Sequence, residues 1–267
     1  MSTDDVAARF LALHQSGSPL LIPNPWDAGS ARVLQWLGFS ALATTSSGFA
    51  MTLGRLDGDV TCEEALNHAV EVVSAVSIPV SADLENGFAA DIAGVVETYT
   101  AAIETGLAGG SIEDYDGRAL YSIDEAAERV AAAVSATQGR FVLTARAENH
   151  IRDNPDLADT IARLQAYQAA GADVLYAPGV AKVDELRTLL AEVDRPVNVL
   201  LLPGGATVAE LTDLGVSRIS VGGTFAYTAL TALVEAGREL LAGTSAFFDH
   251  VGPGRLAAQA AFAPGAT

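Results

Sequence analysis

A repeated unit constrains the fold more than any other feature: a helix, a glycine and then a short apolar strand. In one copy, the helical pattern of residues 33–38 ends at a glycine and leads into the apolar run 40–44. Further copies have their glycine at Gly106, Gly171 and Gly215. Glycine accepts the left-handed conformation that often ends a helix, and a short run that is apolar on both faces suits a buried parallel strand. The repeat therefore predicts an α/β protein with a parallel sheet.

Eight strands of this kind can be counted along the 267 residues. Two of them start at prolines, Pro79 and Pro196, where no ladder hydrogen bond need be lost. The eight begin near residues 19, 40, 79, 110, 140, 173, 197 and 217. This number and spacing predict a (β/α)₈ barrel, with a doubly wound open sheet as the alternative. We expect a single barrel domain over residues 1–267, with 240–267 as a C-terminal helical extension and tail.

Charge and cysteine content exclude several classes of partner. The chain has 33 acidic and 15 basic residues, a net charge of −18, whereas nucleic acids and anionic membranes need a basic face. The single cysteine, Cys62, permits no intrachain disulfide and is typical of a reducing compartment. The sequence shows neither a signal-peptide pattern nor an apolar run of about 18 residues. We therefore expect a cytoplasmic protein that binds neither nucleic acid nor membrane.

Two carboxylates, Asp83 and Glu85, follow the apolar start of the third strand. In an extended strand, residues two apart point to the same side. Such a pair is costly to bury without a positive partner, which could be a cation or an arginine inside the barrel. Because Mg²⁺ prefers carboxylate oxygens, this segment indicates a metal site at the end of the strand.

Other chemically useful residues also follow predicted strands, at the end where barrel enzymes have their active sites. Glu113 ends the fourth strand and Arg146 the fifth. Arg146 could neutralise the acidic residues or hold a substrate carboxylate through two hydrogen bonds. Ser47 and Gly48 follow the second strand, and backbone amides beside a glycine can cradle an anion. The histidines His14, His68 and His250 fall in predicted helices and suggest packing or surface roles.

Five short motifs in a fixed order resemble the isocitrate lyase/phosphoenolpyruvate mutase superfamily. They are Ser47-Gly48 and the segments 53–57, 82–87, 111–114 and 144–148. The resemblance extends over about residues 10–240. It implies a (β/α)₈ barrel whose last helix is exchanged between protomers, assembled as a homo-oligomer, either dimer or tetramer. It also implies Mg²⁺, with Mn²⁺ as an alternative, and a substrate that is a 2-oxo acid or a dicarboxylate.

The resemblance further implies a role for three acidic residues in the metal shell. Asp83 resembles the direct metal ligand, and Glu85 takes a second acidic position at which the family normally has aspartate. Glu113 resembles the third acidic member of the shell. Whether Glu85 and Glu113 contact the metal directly or through water is left open.

The same resemblance implies substrate contacts. Ser47 and Gly48 resemble the residues whose amides hold the substrate carboxylate or phosphoryl group, and Asn198 a contact from a late strand. Arg146 resembles the arginine that binds substrate oxygens and serves catalysis. Asp57 resembles the catalytic loop aspartate, although an aspartate in such a loop is by default merely solvated.

One family feature is missing. Lyases of this superfamily carry a Lys-Lys/Arg-Cys-Gly-His loop after the fourth strand, whereas here residues 113–122 lead almost directly into the next helix. The leading expectation is a Mg²⁺-dependent C–C lyase that forms an enolate from a small 2-oxo or 2-hydroxy carboxylate, with Asp57, Tyr115 or water as acid or base. The alternatives are a phosphoenolpyruvate phosphonomutase, a phosphonopyruvate or oxaloacetate hydrolase, and a non-catalytic 2-oxo acid binding protein.

Overall fold

Eight parallel strands form the centre of the molecule in the computed structural model, which describes residues 3–263 and 265. Each begins within two residues of its predicted start. The order around the sheet is β1-β8-β7-β6-β5-β4-β3-β2, and these seven neighbouring pairs of strands are all parallel. The strands are β1 (Leu20–Ile22), β2 (Leu42–Ala43), β3 (Val80–Asp83), β4 (Gly109–Glu113), β5 (Val142–Arg146), β6 (Val174–Tyr176), β7 (Val197–Leu200) and β8 (Arg218–Ser220).

The sheet closes because β8 pairs with β1, at the register Leu20 to Arg218. Between β1 and β2 the contact is made just beyond β1, where the Ala43 N–H donates to the Pro23 carbonyl at 3.1 Å. The Asn24 side chain donates across the same gap to the carbonyls of Ala43 and Thr44. The predicted (β/α)₈ barrel is thus confirmed, and the open-sheet alternative is wrong.

Helices alternate with the strands and form the outer layer. Several begin at the predicted caps: the Thr61 and Glu64 side chains form a capping box, and Asp91 and Ser122 accept from backbone amides. The helices are α1 (Thr3–Ala12), α2 (Ala28–Trp36), α3 (Ser46–Thr52), α4 (Cys62–Ala75), α5 (Ile92–Glu104), α6 (Ile123–Thr137), α7 (Leu157–Ala169), α8 (Val183–Ala191), α9 (Val208–Asp213), α10 (Thr224–Leu241) and α11 (Val251–Ala261). No helix of the described residues is both long and apolar enough to cross a membrane.

The interior of the barrel is apolar at one end and polar above it. Phe10 of α1 packs with Leu20, Val142 and Val174 to close the end at which the strands begin. Between this end and the ends of the strands, buried polar residues occupy the strands instead: Ser81, Ser111, Thr144, Asn198, Arg218 and Ser220. Barrel interiors are usually filled by branched apolar residues. The small polar residues here leave a cavity below the strand ends.

The C-terminal segment leaves the barrel after β8. α10 is followed by a short 3₁₀ helix (Ala246–His250) and by α11, which packs on α2 of the same chain. The Arg32 guanidinium lies over the Phe262 ring at this contact. Part of the predicted tail, residues 264, 266 and 267, lies outside the described residues, as do residues 1 and 2.

Candidate active site

Arg146, at the end of β5, lies at the centre of an ionic cluster at the predicted end of the barrel. Its guanidinium is 2.9 Å from Asp83 Oδ1, 3.2 Å from Glu113 Oε2 and 2.9 Å from Glu148 Oε1. The three carboxylates come from β3, β4 and the segment after β5, so closure of the barrel brings them together. The structure thus brings together three of the predicted site residues, Asp83, Glu113 and Arg146. Arg146 neutralises acidic residues, which is one of the two roles predicted for it.

Asp83 is held in place by hydroxyl groups as well as by Arg146. Ser46 donates through its hydroxyl at 3.0 Å and through its backbone N–H at 3.4 Å, and the Ser111 hydroxyl donates at 3.3 Å. Burial alone would raise the pKa of Asp83, but the charge of Arg146 and the hydrogen bonds from Ser46 outweigh it and lower the pKa. Asp83 is therefore a fixed carboxylate anion.

Glu85 lies beyond the end of β3 with a left-handed backbone, φ 47°. Strand alternation therefore does not apply to this residue, although Asp83 and Glu85 still line a common pocket. Its Oε1 atom is buried and has no hydrogen-bond partner among the described residues. Burial and the neighbouring charges of Asp83 and Asp57 raise the pKa of Glu85 to about 7. An unpaired buried carboxylate oxygen needs a partner that the protein itself does not supply.

Burial and carboxylate crowding also affect Glu113 and Glu148. Burial, with repulsion from neighbouring carboxylates, raises the pKa of both groups against the attraction of Arg146. Counting Asp83 and Glu85, four carboxylates thus lie around Arg146, and among the described residues only Arg152 adds a further ion pair to the cluster, at 3.5 Å from Glu148 Oε2. The cluster has an excess of acidic groups.

A second buried network lies behind the cluster and fixes Glu148. The Asp114 carboxylate accepts from the Glu148 backbone N–H at 2.8 Å, from Arg163 at 2.8 Å and from the Tyr167 hydroxyl. Because Glu148 in turn pairs with Arg146, this network sets the position of the arginine.

The other predicted substrate residues differ in their positions. Ser47, Asp57 and Asn198 line a cavity of about 170 Å³ inside the mouth of the barrel. Gly48 is buried, and its amide donates to Thr45 Oγ1 at 3.4 Å. A Cβ atom on Gly48 would lie 2.6 Å from Thr45 Cγ2, so close packing accounts for the glycine. Its predicted contact with substrate stays a prediction.

Above this cavity, a second one of about 480 Å³ lies among the loops that follow the strands. Asp57, Glu85, Glu113 and Tyr115 are among the residues that line it. Tyr115 is the second residue of the short link from β4 to α6, where it pairs with Leu120 in a tight turn. The link is thus as short as the sequence indicated. Cys62 lines neither cavity; its Sγ lies 3.7 Å from the Thr98 hydroxyl.

Ser111, Glu148 and Arg218 were not predicted as site residues. Glu148 falls within the motif 144–148, which marks the family resemblance without assigning this residue a role. Arg218 lies in β8 and lines the lower cavity, where it donates to Asn198 Oδ1 at 2.9 Å. The available signal was an arginine inside the apolar run 218–221. His14, predicted to be helical, follows the end of α1 and packs against Arg218, so its predicted packing role holds but its place in a helix does not.

The donor set suits a hard divalent cation. Asp83, Glu85 and Glu113 offer carboxylate oxygens, and Glu85 Oε1 is unpaired. Among the described residues, no three acidic, histidine or cysteine side chains are already arranged to hold a metal together. Mg²⁺ usually keeps several waters and needs only one or two protein carboxylates, so the residues present fit the ion.

Comparisons with known proteins agree with this fold and identify the family. A family model described as phosphoenolpyruvate phosphomutase matches residues 10–241. A Burkholderia cenocepacia crystal structure, provisionally named a lyase/mutase, superimposes with a TM-score of 0.94 at 46% identity, covering 99% of this chain and 98% of that one. An uncharacterized Mycobacterium tuberculosis protein is 34% identical over 86% of this chain and 87% of its own.

Among relatives with a named activity, 2-methylisocitrate lyase of Escherichia coli is 30% identical, over 80% of this chain and 75% of its own. The family match spans the barrel and includes every residue of the cluster around Arg146. The chain is therefore an enzyme that belongs to the phosphoenolpyruvate phosphomutase family, within the isocitrate lyase/phosphoenolpyruvate mutase superfamily.

Proposed function

We propose that the enzyme is a Mg²⁺-dependent lyase that cleaves a C–C bond of a small 2-oxo or 2-hydroxy carboxylate through an enolate. The observation that carries the proposal is the cluster in which Asp83 and Glu113 flank Arg146 beside a small polar cavity. Four carboxylates lie around this one arginine. A divalent cation would therefore offset the excess negative charge of the cluster. Mn²⁺ offers the same chemistry with the same oxygen donors.

Asp83, Glu85 and Glu113 would hold the ion, directly or through water. Once bound, the ion supplies Lewis-acid stabilisation of the negative charge that an enolate develops. Arg146 binds and orients the substrate carboxylate, for which its planar guanidinium is suited. Ser47 and Asn198 line the cavity in which the rest of a small substrate fits.

Asp57 is the residue we assign to proton transfer. Among the described residues it is the one carboxylate that lines both the lower and the upper cavity. Tyr115, which lines the upper cavity, is the alternative donor. The short β4–α6 link leaves no cysteine loop to take this role.

The test is release of pyruvate or glyoxylate from a panel of di- and tricarboxylates, with Mg²⁺, with Mn²⁺ and with EDTA. We expect metal-dependent release from at least one substrate, reduced at least 100-fold in Asp83→Asn. Glu63→Gln is the matched control, because Glu63 is an exposed acid at the start of α4. Metal-dependent 2-oxo acid binding without release from any substrate would contradict the lyase and favour a non-catalytic binding protein. Absence of metal-dependent 2-oxo acid binding would contradict the proposal altogether.

A phosphonomutase or hydrolase reaction is the second candidate, and the description of the matching family favours the mutase. Phosphoenolpyruvate and phosphonopyruvate added to the same panel would detect either reaction. The predicted homo-oligomer and cytoplasmic location stay predictions.

A further inference from the structure

Two arginines line the lower cavity, and they differ in what balances their charge. Arg146 contacts three carboxylates. Arg218, in β8, is only 5% exposed, and none of the ion pairs formed by the described residues includes it. A buried charge without an opposite charge is costly to keep. Arg218 therefore stands out as a cation without a partner of opposite charge.

Neutral groups hold Arg218 in a fixed orientation. Its Nε donates to Asn198 Oδ1 at 2.9 Å, and Asn198 in turn donates to the Ser220 hydroxyl at 3.0 Å. Its Nη1 lies 3.4 Å from Nε2 of His14, whose Nδ1 lies 3.0 Å from the Phe10 carbonyl. That arrangement requires a neutral imidazole with the proton on Nδ1. Burial, and to a smaller extent the charge of Arg146, lower the pKa of Arg218 to about 10, which leaves it charged at neutral pH.

The cavity beside Arg218 is lined by further neutral polar groups. Ser81, Ser111, Tyr176 and Ser220 all border it. The only carboxylates among the described lining residues are Asp57 and Asp83, and Asp83 is bound to Arg146. Hydroxyl, amide and guanidinium donors around an open volume are what an anionic oxygen group needs.

We propose that Arg218 binds a second acidic group of the substrate, a carboxylate or a phosphonate, inside the barrel. The 2-oxo acid end of the same molecule lies at Arg146 and Asp83. This inference rests on the proposed function and adds a specificity-determining residue to it: Arg218 distinguishes substrates with two acidic groups from those with one. Asn198 positions Arg218 through the hydrogen bond to Nε.

Calorimetry in the presence of Mg²⁺ tests the proposal with acids matched in chain length. 2-Oxoglutarate is compared with 2-oxovalerate, and oxaloacetate with 2-oxobutyrate, so that each pair differs only in the second acidic group. We expect the wild-type enzyme to bind the diacid at least 10-fold more tightly. In Arg218→Gln this preference should fall below about 3-fold, while the Kd for the monoacid changes less than 2-fold.

Arg195→Gln is the matched control, because Arg195 is exposed ahead of β7. Equal wild-type affinity for monoacid and diacid would overturn the role of Arg218 but leave the proposed function standing. Absence of any Mg²⁺-dependent 2-oxo acid binding would overturn both. Should Arg218→Gln not fold, a crystal structure of the wild-type enzyme with 2-oxoglutarate decides: a carboxylate within hydrogen-bond distance of Arg218 supports the proposal, and one directed elsewhere refutes it.

Discussion

His14 is held neutral by its surroundings at the closed end of the barrel. It stacks edge-on against Phe10 and lies against the Arg218 guanidinium. Burial, and then the charge of Arg218, lower the pKa of His14 to about 4 from an ordinary 6.5. A protonated His14 would place two positive charges side by side in a buried position, which explains the direction of the shift.

The pKa of His14 makes stability depend on pH. Above pH 6.5 the histidine is neutral in both the folded and the unfolded chain. As the pH falls from 6.5 towards 4, the unfolded chain takes up a proton first, and the folded state loses stability. Between pH 7 and 4.5 we expect His14 to account for a loss of about 2–3 kcal/mol. Urea unfolding at several pH values should show a weaker pH dependence in His14→Gln and an unchanged one in His250→Gln; equal slopes in all three proteins would refute the assignment.

Asp114 offers a test of the network behind the site. Its carboxylate is buried and accepts hydrogen bonds from Arg163 and from the Tyr167 hydroxyl. Asp114→Ala leaves both donors without that partner, so we expect a loss of about 3–5 kcal/mol in the free energy of unfolding. Asp184→Ala removes an exposed ion pair with Arg187 and should cost less than about 1 kcal/mol. Similar losses in the two variants would show that the network adds no stability.

At the residue scale, the site residues that could be predicted are those in which a polar side chain ends an apolar strand. Asp83, Glu113 and Arg146 meet because consecutive strands of a barrel are neighbours, a relation that strand order alone supplies. Ser111 and Arg218 lie further down their strands. Whether such a residue points into the barrel or towards the helices depends on register, which a single sequence does not specify.

At the level of elements, strand positions were predictable because glycine and proline mark their boundaries. Two local structures, α3 and the backbone at Glu85, were not predictable. α3 is seven residues long and carries too few apolar positions to show a helical period. β3 ends at Asp83, and Glu85 then takes a left-handed backbone that side chains rarely adopt. The tertiary structure around Glu85 imposes this conformation, and nothing in the local sequence indicates it.

The end of α6 provides a prediction at this scale. Gln138 follows the helix with φ 50° and ψ 36°, a left-handed conformation that costs a residue with a side chain more than it costs glycine. We expect Gln138→Gly to stabilise the protein by about 0.5–1 kcal/mol, measured by urea unfolding. Ala131→Gly, at an exposed position inside α6, should instead destabilise it by about 1 kcal/mol. Destabilisation by both substitutions would contradict the argument.

At the scale of the whole molecule, α10 is the element that the described chain leaves most uncovered. Ala226 is its only buried residue. Apolar side chains recur along it at helical spacing and remain exposed: Leu230, Leu233, Val234 and Leu241. A stripe of this kind is typical of a helix that packs against another surface. The exchange of the last barrel helix between protomers, implied by the family resemblance, would supply that surface from a second copy of the chain.

Leu233 tests this expectation, because it is 68% exposed in the middle of the stripe. Glutamate in its place would cost little in an isolated chain but would bury a charge wherever a second copy covers α10. We therefore expect sedimentation velocity to show a dimer or tetramer for the wild type and a shift to smaller species for Leu233→Glu. Val208→Glu, at an exposed apolar position on α9, should leave the assembly unchanged. A wild-type monomer, or equal sedimentation of all three proteins, would mean that the stripe on α10 does not mediate assembly.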